Sequence, residues 1–187
     1  MRKVLFIISI FVLITSFIQK PRKFPEINYV TNKGTSFSNE DFQGKNTIVL
    51  LFHLGCPYAL NMLKDIETAK LGKNDSIQII GIVENTPEQI KQFNSSQNNL
   101  WSDTRKSFNL EPIEIPLIGE CASKNLSNKN VNMHVGSHCE DLSKKIKTRY
   151  SPTVVFVDHN GNIAKVKKGY ISKEAPLEER IEYVTEY

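Results

Sequence analysis

The chain is poor in cysteine: its 187 residues hold three, Cys56, Cys121 and Cys139. An odd count permits at most one internal disulfide and leaves one thiol over, which excludes a disulfide-dense scaffold and reserves one cysteine for chemistry. Long Pro, Ser or Gly tracts and coiled-coil heptads are missing, and 40% hydrophobic against 24% charged residues is an ordinary globular balance, so disordered and fibrous architectures are set aside. Excess charge is missing too. The formal net charge is +4, and +2 without Arg2 and Lys3. That excess is too small to point to nucleic acid, and Lys144, Lys145 and Lys147, interleaved with polar residues, read as a solvated helix face. No internal repeat is visible, and the length suits one compact domain with a short targeting segment.

The one strong composition shift is at the start. After Arg2 and Lys3, residues Val4 to Ile18 are apolar or small without interruption, and Lys20-Pro21-Arg22-Lys23 follows. A run of about 15 residues is short for a spanning helix, which needs about 20, and fits the apolar region of a secretion signal. No clear small-x-small cleavage site follows, since Thr15, Ser16 and Phe17 approximate one poorly, and no cysteine stands there to accept a lipid. Charges on the two sides nearly balance, so orientation is weakly set. Residues 1–23 are therefore expected to be a signal peptide or an N-terminal membrane anchor, and 24–187 the exported domain, periplasmic or otherwise extracytoplasmic, secreted or membrane-anchored. In that compartment the cysteines meet oxidising or thiol-managed conditions.

Along the domain, Ile27–Val30 and Thr35–Phe37 flank the turn signal Asn32-Lys33-Gly34 and predict an N-terminal hairpin. Thr47–Phe52 is a continuous β-branched, apolar run, the pattern of a central strand buried on both faces. Pro57, with Leu60, Leu63 and Ile66 at helical spacing, opens a helix and places Cys56 at its N-terminus. Ser76–Val83 reads as another strand. Thr86 and Pro87 are the N-cap and first position of a second helix through Ile90 and Phe93. Asn94 to Asn130 is rich in Asn and Ser and carries little pattern, apart from an edge strand over Ile113–Ile118 broken by Pro116. A helix from about Cys139 to Tyr150, a strand over Thr153–Val157, an Asn-Gly turn at 158–161, a returning strand over Asn162–Lys168 and a last helix from Pro176 to Tyr187 complete the reading.

Gly34, Phe37, Phe42, Gly44-Lys45, the strand Ile48–Phe52, Gly55-Cys56-Pro57-Tyr58-Ala59 and the stretch Tyr150-Ser151-Pro152-Thr153 through Gly161 together resemble the thioredoxin-like superfamily. The similarity is to its redoxin-type and periplasmic thiol:disulfide oxidoreductase branch. It spans about Pro25 to Gly169 and breaks in the middle segment. The resemblance implies an α/β thioredoxin-like fold, a central mixed β-sheet flanked by helices with an N-terminal hairpin. It also implies a nucleophilic Cys56 and a cis-proline at Pro152 facing it. Independently of the family, a helix N-terminus places partly unsatisfied N–H groups and a positive dipole end near a cysteine, which can lower a thiol pKa from about 8.5 to roughly 3.5–7.5.

The departures are as informative. The family's second cysteine is replaced by Ala59, giving C-x-x-A, so a dithiol cycle inside the motif is impossible. The resolving thiol is Cys121, Cys139, one from another molecule, or absent. Peroxiredoxins place a proline seven residues and a Thr or Ser three residues before their nucleophile, where this chain has Val49 and His53. His53 has two readings, an imidazole that tunes or deprotonates Cys56 and a half-buried ring bonded to backbone. His134, His138, Cys139 and Cys121 supply soft ligands of the kind that hold Cu(I) or Zn(II), but Leu60 stands where copper-delivering relatives of this fold place a second cysteine, and no metal-ligand spacing is present. Asp103, Arg105, Glu111 and Glu114 are expected to face solvent. The reading that results is an exported redoxin-like protein exchanging disulfides through Cys56, with a protein thiol or disulfide as partner, no cofactor, no metal and no nucleic acid. The alternatives are a thioredoxin-fold binding or scaffold protein with a vestigial site, a peroxiredoxin-like peroxidase and a copper chaperone.

The cysteine pairing has more than one solution. Cys121–Cys139 is favoured as a structural bridge, because 125–137 has few apolar residues with which to order itself. Closing that loop of about 17–19 residues is worth roughly 3 kcal/mol in the chain-entropy model. In the competing solution the segment carries a resolving cysteine to Cys56.

Overall fold

A computed structural model describes residues 21–71, 77–119, 141–148 and 150–186. The apolar leader and the pairing of Cys121 with Cys139, together with His134 and His138, lie outside the described residues. Among the described residues no helix is long and apolar enough to cross a membrane.

The frame is a six-stranded mixed sheet. In chain order its strands are β1 (Arg22–Lys23), β4 (Thr47–Phe52), β5 (Gln78–Val83), β6 (Leu117–Gly119), β7 (Thr153–Val157) and β8 (Asn162–Lys168), and the spatial order is β1-β8-β7-β4-β5-β6. A separate hairpin pairs β2 (Asn28–Val30) with β3 (Ser36–Ser38). β4, β5 and β6 run parallel, while β7 is antiparallel to both β4 and β8. All six residues of β4 and all five of β7 are buried, as continuous apolar runs require when both faces of a sheet are covered. Among the described residues five α-helices flank the sheet: α1 (Pro57–Thr68), α2 (Pro87–Asn94), α3 (Leu100–Ser107), α4 (Asp141–Ile146) and α5 (Leu177–Thr185).

Alternation along the strands divides the core in two. Ile48, Leu50 and Phe52 of β4 and Val154 and Phe156 of β7 face one way, against Leu60, Leu63 and Ile66 of α1, Phe93 of α2 and Val184 of α5. Val49, Leu51, Val155 and Val157 face the other way, against Leu142 and Ile146 of α4 and a strap of Phe24, Ile27, Phe37 and Phe42. On the strap the Phe42 ring meets Phe24 and Phe37 edge-on at centroid separations of 5.0 and 5.5 Å. Gly81 of β5 leaves room for Leu117 and Phe52, which a Cβ would meet at 2.6 and 3.0 Å.

Local chemistry agrees with the frame. Thr86 and Gln89 cap α2 reciprocally, with Pro87 at the first position, so two otherwise orphan amides are satisfied. β6 begins only after Pro116. β1 and α3 are elements the sequence did not announce; α3 is capped by Asn99, whose Oδ1 accepts from the N–H groups of Trp101 and Ser102. This helix corrects the expectation for Arg105, which is buried at 6% exposure and not solvent-facing. Its guanidinium donates to the carbonyls of Phe93 (2.8 Å), Leu110 (2.6 Å) and Ser95 (3.4 Å), pinning the end of α2 to α3. Asp103, Glu111 and Glu114 are exposed, as expected.

Candidate active site

β4 ends at Phe52 and the chain turns through His53, Leu54 and Gly55 into α1, with Cys56 at the N-cap. Pro57 occupies the first helical position, where its missing N–H removes nothing from the helix. The Cys56 carbonyl accepts the first helical bond from Leu60 N–H at 3.0 Å, and the half-buried thiol packs on the core beneath. Its Sγ lies 3.3 Å from the carbonyl oxygen of Ser151, to which it donates. The Ser151–Pro152 peptide is cis. The α1 helix and the loop before β7, 95 residues apart in sequence, therefore meet at the sulfur.

That loop is bonded on every side. The backbone N–H of His53 donates to Ser151 Oγ at 3.1 Å. Gly169 N–H donates to the Pro152 carbonyl at 2.8 Å. Thr153 Oγ1 donates its one proton to the Tyr150 carbonyl at 2.7 Å, so the 2.8 Å contact between the buried hydroxyls of Thr148 and Thr153 runs from Thr148 as donor. A buried hydroxyl pair left without an acceptor would be costly; here every proton has one. Tyr58, two residues after Cys56 in α1, and Tyr150, one residue before Ser151, are 57% and 63% exposed.

His53 supports the turn from inside. Its carbonyl accepts Cys56 N–H at 3.0 Å and its Nδ1 accepts Gly55 N–H at 2.9 Å. A backbone N–H can only donate, so Nδ1 carries the lone pair and the ring proton sits on Nε2. Burial pushes the imidazole below the ordinary histidine value, and protonating Nδ1 would also break the bond to Gly55. Of the two roles open to His53, backbone acceptor is the one this geometry fills; Nδ1 is not free to take the Cys56 proton. The ring packs edge-on against Trp101 of α3 at a centroid distance of 6.0 Å. Leu54 N–H is held by Asn85 Oδ1 at 2.8 Å, and the Asn85 amide donates to Gln89.

Ser151, Asn85 and Trp101 escaped the reading of the sequence. Ser151 stood beside the expected proline, and Asn85 stood between an apolar strand and a helix cap, the position of a polar group facing a turn. Nothing in sequence spacing points Trp101 at His53. Ala59 is fully buried in the core cluster on which Cys56 packs, so the position of a second motif cysteine is a closed apolar site. Cys121 and Cys139, expected as accessory cysteines, lie outside the described residues. Among the described residues no group of three His, Cys, Asp or Glu side chains could hold a metal ion.

One ionic cluster braces the helix that carries the thiol. Asp65 of α1, 5% exposed, accepts two bonds from Arg180 of α5, Nε to Oδ2 at 2.8 Å and Nη2 to Oδ1 at 2.9 Å. Tyr170 OH donates to the same carboxylate at 2.7 Å. Burial, and then the Asp65 carboxylate, push the Tyr170 phenol well above its usual value.

A cysteine at a helix N-terminus beside a cis-proline loop, at the ends of adjacent strands of a mixed sheet, defines a thioredoxin-like protein, the fold expected from the sequence. The redoxin family model matches residues 19–183. The chain belongs to the redoxin family. Solved structures agree in fold: a protein designated thiol:disulfide interchange protein DsbE from Chlorobium tepidum is 15% identical with a TM-score of 0.55, covering 89% of this chain and 97% of that one. StoA from Bacillus subtilis is 17% identical at 0.52, covering 85% and 96%. A mitochondrial 2-cys peroxiredoxin from Plasmodium falciparum is 12% identical at 0.58, covering 90% and 93%. No curated protein matches the sequence.

Proposed function

We propose that this redoxin is an exported thiol–disulfide exchange protein that works through Cys56 as a single nucleophile, with Pro152 and the loop around it presenting the substrate. The observation that carries the reading is the Cys56 sulfur at the N-terminus of α1, 3.3 Å from the Ser151 carbonyl. In the exchange step the Cys56 proton goes to solvent and the thiolate attacks one sulfur of a protein disulfide. That S–S bond breaks, a bond from Cys56 Sγ to the substrate sulfur forms, and the other substrate sulfur leaves as thiolate. Ala59 cannot resolve the mixed disulfide. A second thiol of the substrate attacks the substrate sulfur, forming a new substrate disulfide and releasing the Cys56 thiolate; alternatively Cys121, Cys139 or a thiol of another protein attacks Cys56 Sγ, which releases the substrate as thiolate and leaves Cys56 in a new disulfide. The apolar run Val4–Ile18 supplies the route out of the cytoplasm as a signal peptide or membrane anchor; the leader ends before Arg22 and Lys23, earlier than the boundary at residue 23 expected from the sequence, because these two residues pair with β8.

Incubation with a model disulfide, acid quenching and peptide mapping test the reading. The expected product is a mixed disulfide on the Cys56 peptide, lost in Cys56→Ser, with Cys56 alkylating faster than a model thiol at neutral pH. A wild-type Cys56 that forms no mixed disulfide overturns the exchange reading.

A further inference from the structure

The residue before the thiol is a glycine, and it has no side chain with which to hold itself. Its amide bonds to His53 Nδ1 at 2.9 Å, and a Cβ built on Gly55 would come within 3.0 Å of His53 Cε1 and 3.1 Å of Nδ1. The imidazole therefore occupies the space that a side chain at position 55 would need. The same residue bonds the thiol's own amide through its carbonyl and the proline loop through its amide, by way of Ser151 Oγ. Trp101 backs the ring from α3. One residue thus connects both halves of the site.

We propose that His53 is the positioning residue of the Cys56 turn: its neutral imidazole, accepting from Gly55 N–H, holds the Gly55–Cys56 peptide in the orientation that presents the thiol. The inference rests on the exchange chemistry proposed for Cys56, and it concerns geometry only; His53 moves no proton. Glycine is the residue with the most backbone freedom to lose. Releasing Gly55 and re-ordering it at each encounter slows reaction at Cys56 by roughly five- to thirty-fold, the weight of fixing one backbone residue.

Asparagine places Oδ1 where histidine has Nδ1, attached to the same Cγ, whereas glutamine reaches one bond too far. In the full chain, His53→Asn is therefore expected to keep the wild-type rate at Cys56, while His53→Ala and His53→Gln fall by that five- to thirty-fold. Gly55→Ala, which pushes the ring off its amide while His53 is retained, falls likewise. Rates are read at the Cys56 peptide by mass spectrometry, once with iodoacetamide and once with a model disulfide, and thermal melts confirm that each variant is folded. Rescue by asparagine alone separates the hydrogen bond from ring packing on Trp101. Equal slowing in His53→Asn and His53→Ala, or no slowing in any variant, overturns the inference. A His53-dependent alkylation rate with no disulfide exchange leaves the positioning role standing and overturns the proposed activity. Should an unfolded His53→Ala obscure the comparison, Gly55→Ala against His53→Asn decides it.

Discussion

Replacing Arg180 with alanine removes both guanidinium bonds to Asp65 and leaves a carboxylate of 5% exposure with Tyr170 OH as its one remaining partner in the cluster. Breaking a buried pair by deleting one member costs about 3–5 kcal/mol, because the surviving charge is left in a medium that solvates it poorly. The Arg180 side chain is 18% exposed, so water reaches the vacated space and the lower end, about 3 kcal/mol, is expected. For a chain of this length that is a fall in Tm of roughly 6–12 °C, and with a urea m-value near 2 kcal/mol/M a midpoint lower by about 1.5 M. Trp101, the single tryptophan, supplies the fluorescence signal for the urea titration. The double variant Asp65→Leu, Arg180→Met removes both charges and retains volume, so it is expected to lie within about 1 kcal/mol of wild type. A single variant that loses under about 1 kcal/mol, or a double variant less stable than the single, refutes the argument that the ion pair braces α1.

Two further outcomes follow from the site. His53 is neutral in the folded chain because burial depresses its affinity for a proton, so the unfolded chain binds that proton first as pH falls. Stability is then full above about pH 6.5 and declines below it; His53→Asn flattens that part of the profile, and an unchanged profile counts against a buried neutral ring. Gly119→Ala places a Cβ 2.9 Å from both the Asn85 carbonyl oxygen and the Pro87 nitrogen, which are backbone atoms. A loss of about 1–3 kcal/mol is expected, with slower Cys56 alkylation because Asn85 also holds Leu54; wild-type stability would show that the start of α2 can move aside.

The central strands were legible because burial on both faces leaves one signal, an unbroken β-branched apolar run, and Thr47–Phe52, Thr153–Val157 and Asn162–Lys168 carry it or pair beside it. Thr86-Pro87 announced α2 through cap chemistry. The α3 helix was not legible, since its anchors Ser102 and Arg105 are polar and bury themselves through hydrogen bonds, while its apolar Leu100 is 67% exposed; no apolar period exists to be read. β1 is invisible for another reason: two basic residues become a strand only through their register with Asn162 and Ile163. Cys56 could be placed at a helix N-terminus from Pro57 and the spacing behind it. The bond from Gly55 to His53 could not, because it depends on a ring rotamer and on the path of the turn.

The N-terminal segment that lines one face of the sheet also reaches both of its edges, with consequences for self-association. At one edge β1 covers β8 with Arg22 and Lys23. At the other, Asn32 takes both outward groups of Leu117: its Oδ1 accepts Leu117 N–H at 2.9 Å and its own N–H donates to the Leu117 carbonyl at 2.7 Å. An open edge is a template for strand addition, and short strands, charged residues and covering loops suppress it. Here a single stretch of about twenty residues covers part of each template, Asn162 and Ile163 at one edge and Leu117 at the other, so trimming the chain back toward Gly44 would bare both together and leave each open to strands from neighbouring molecules.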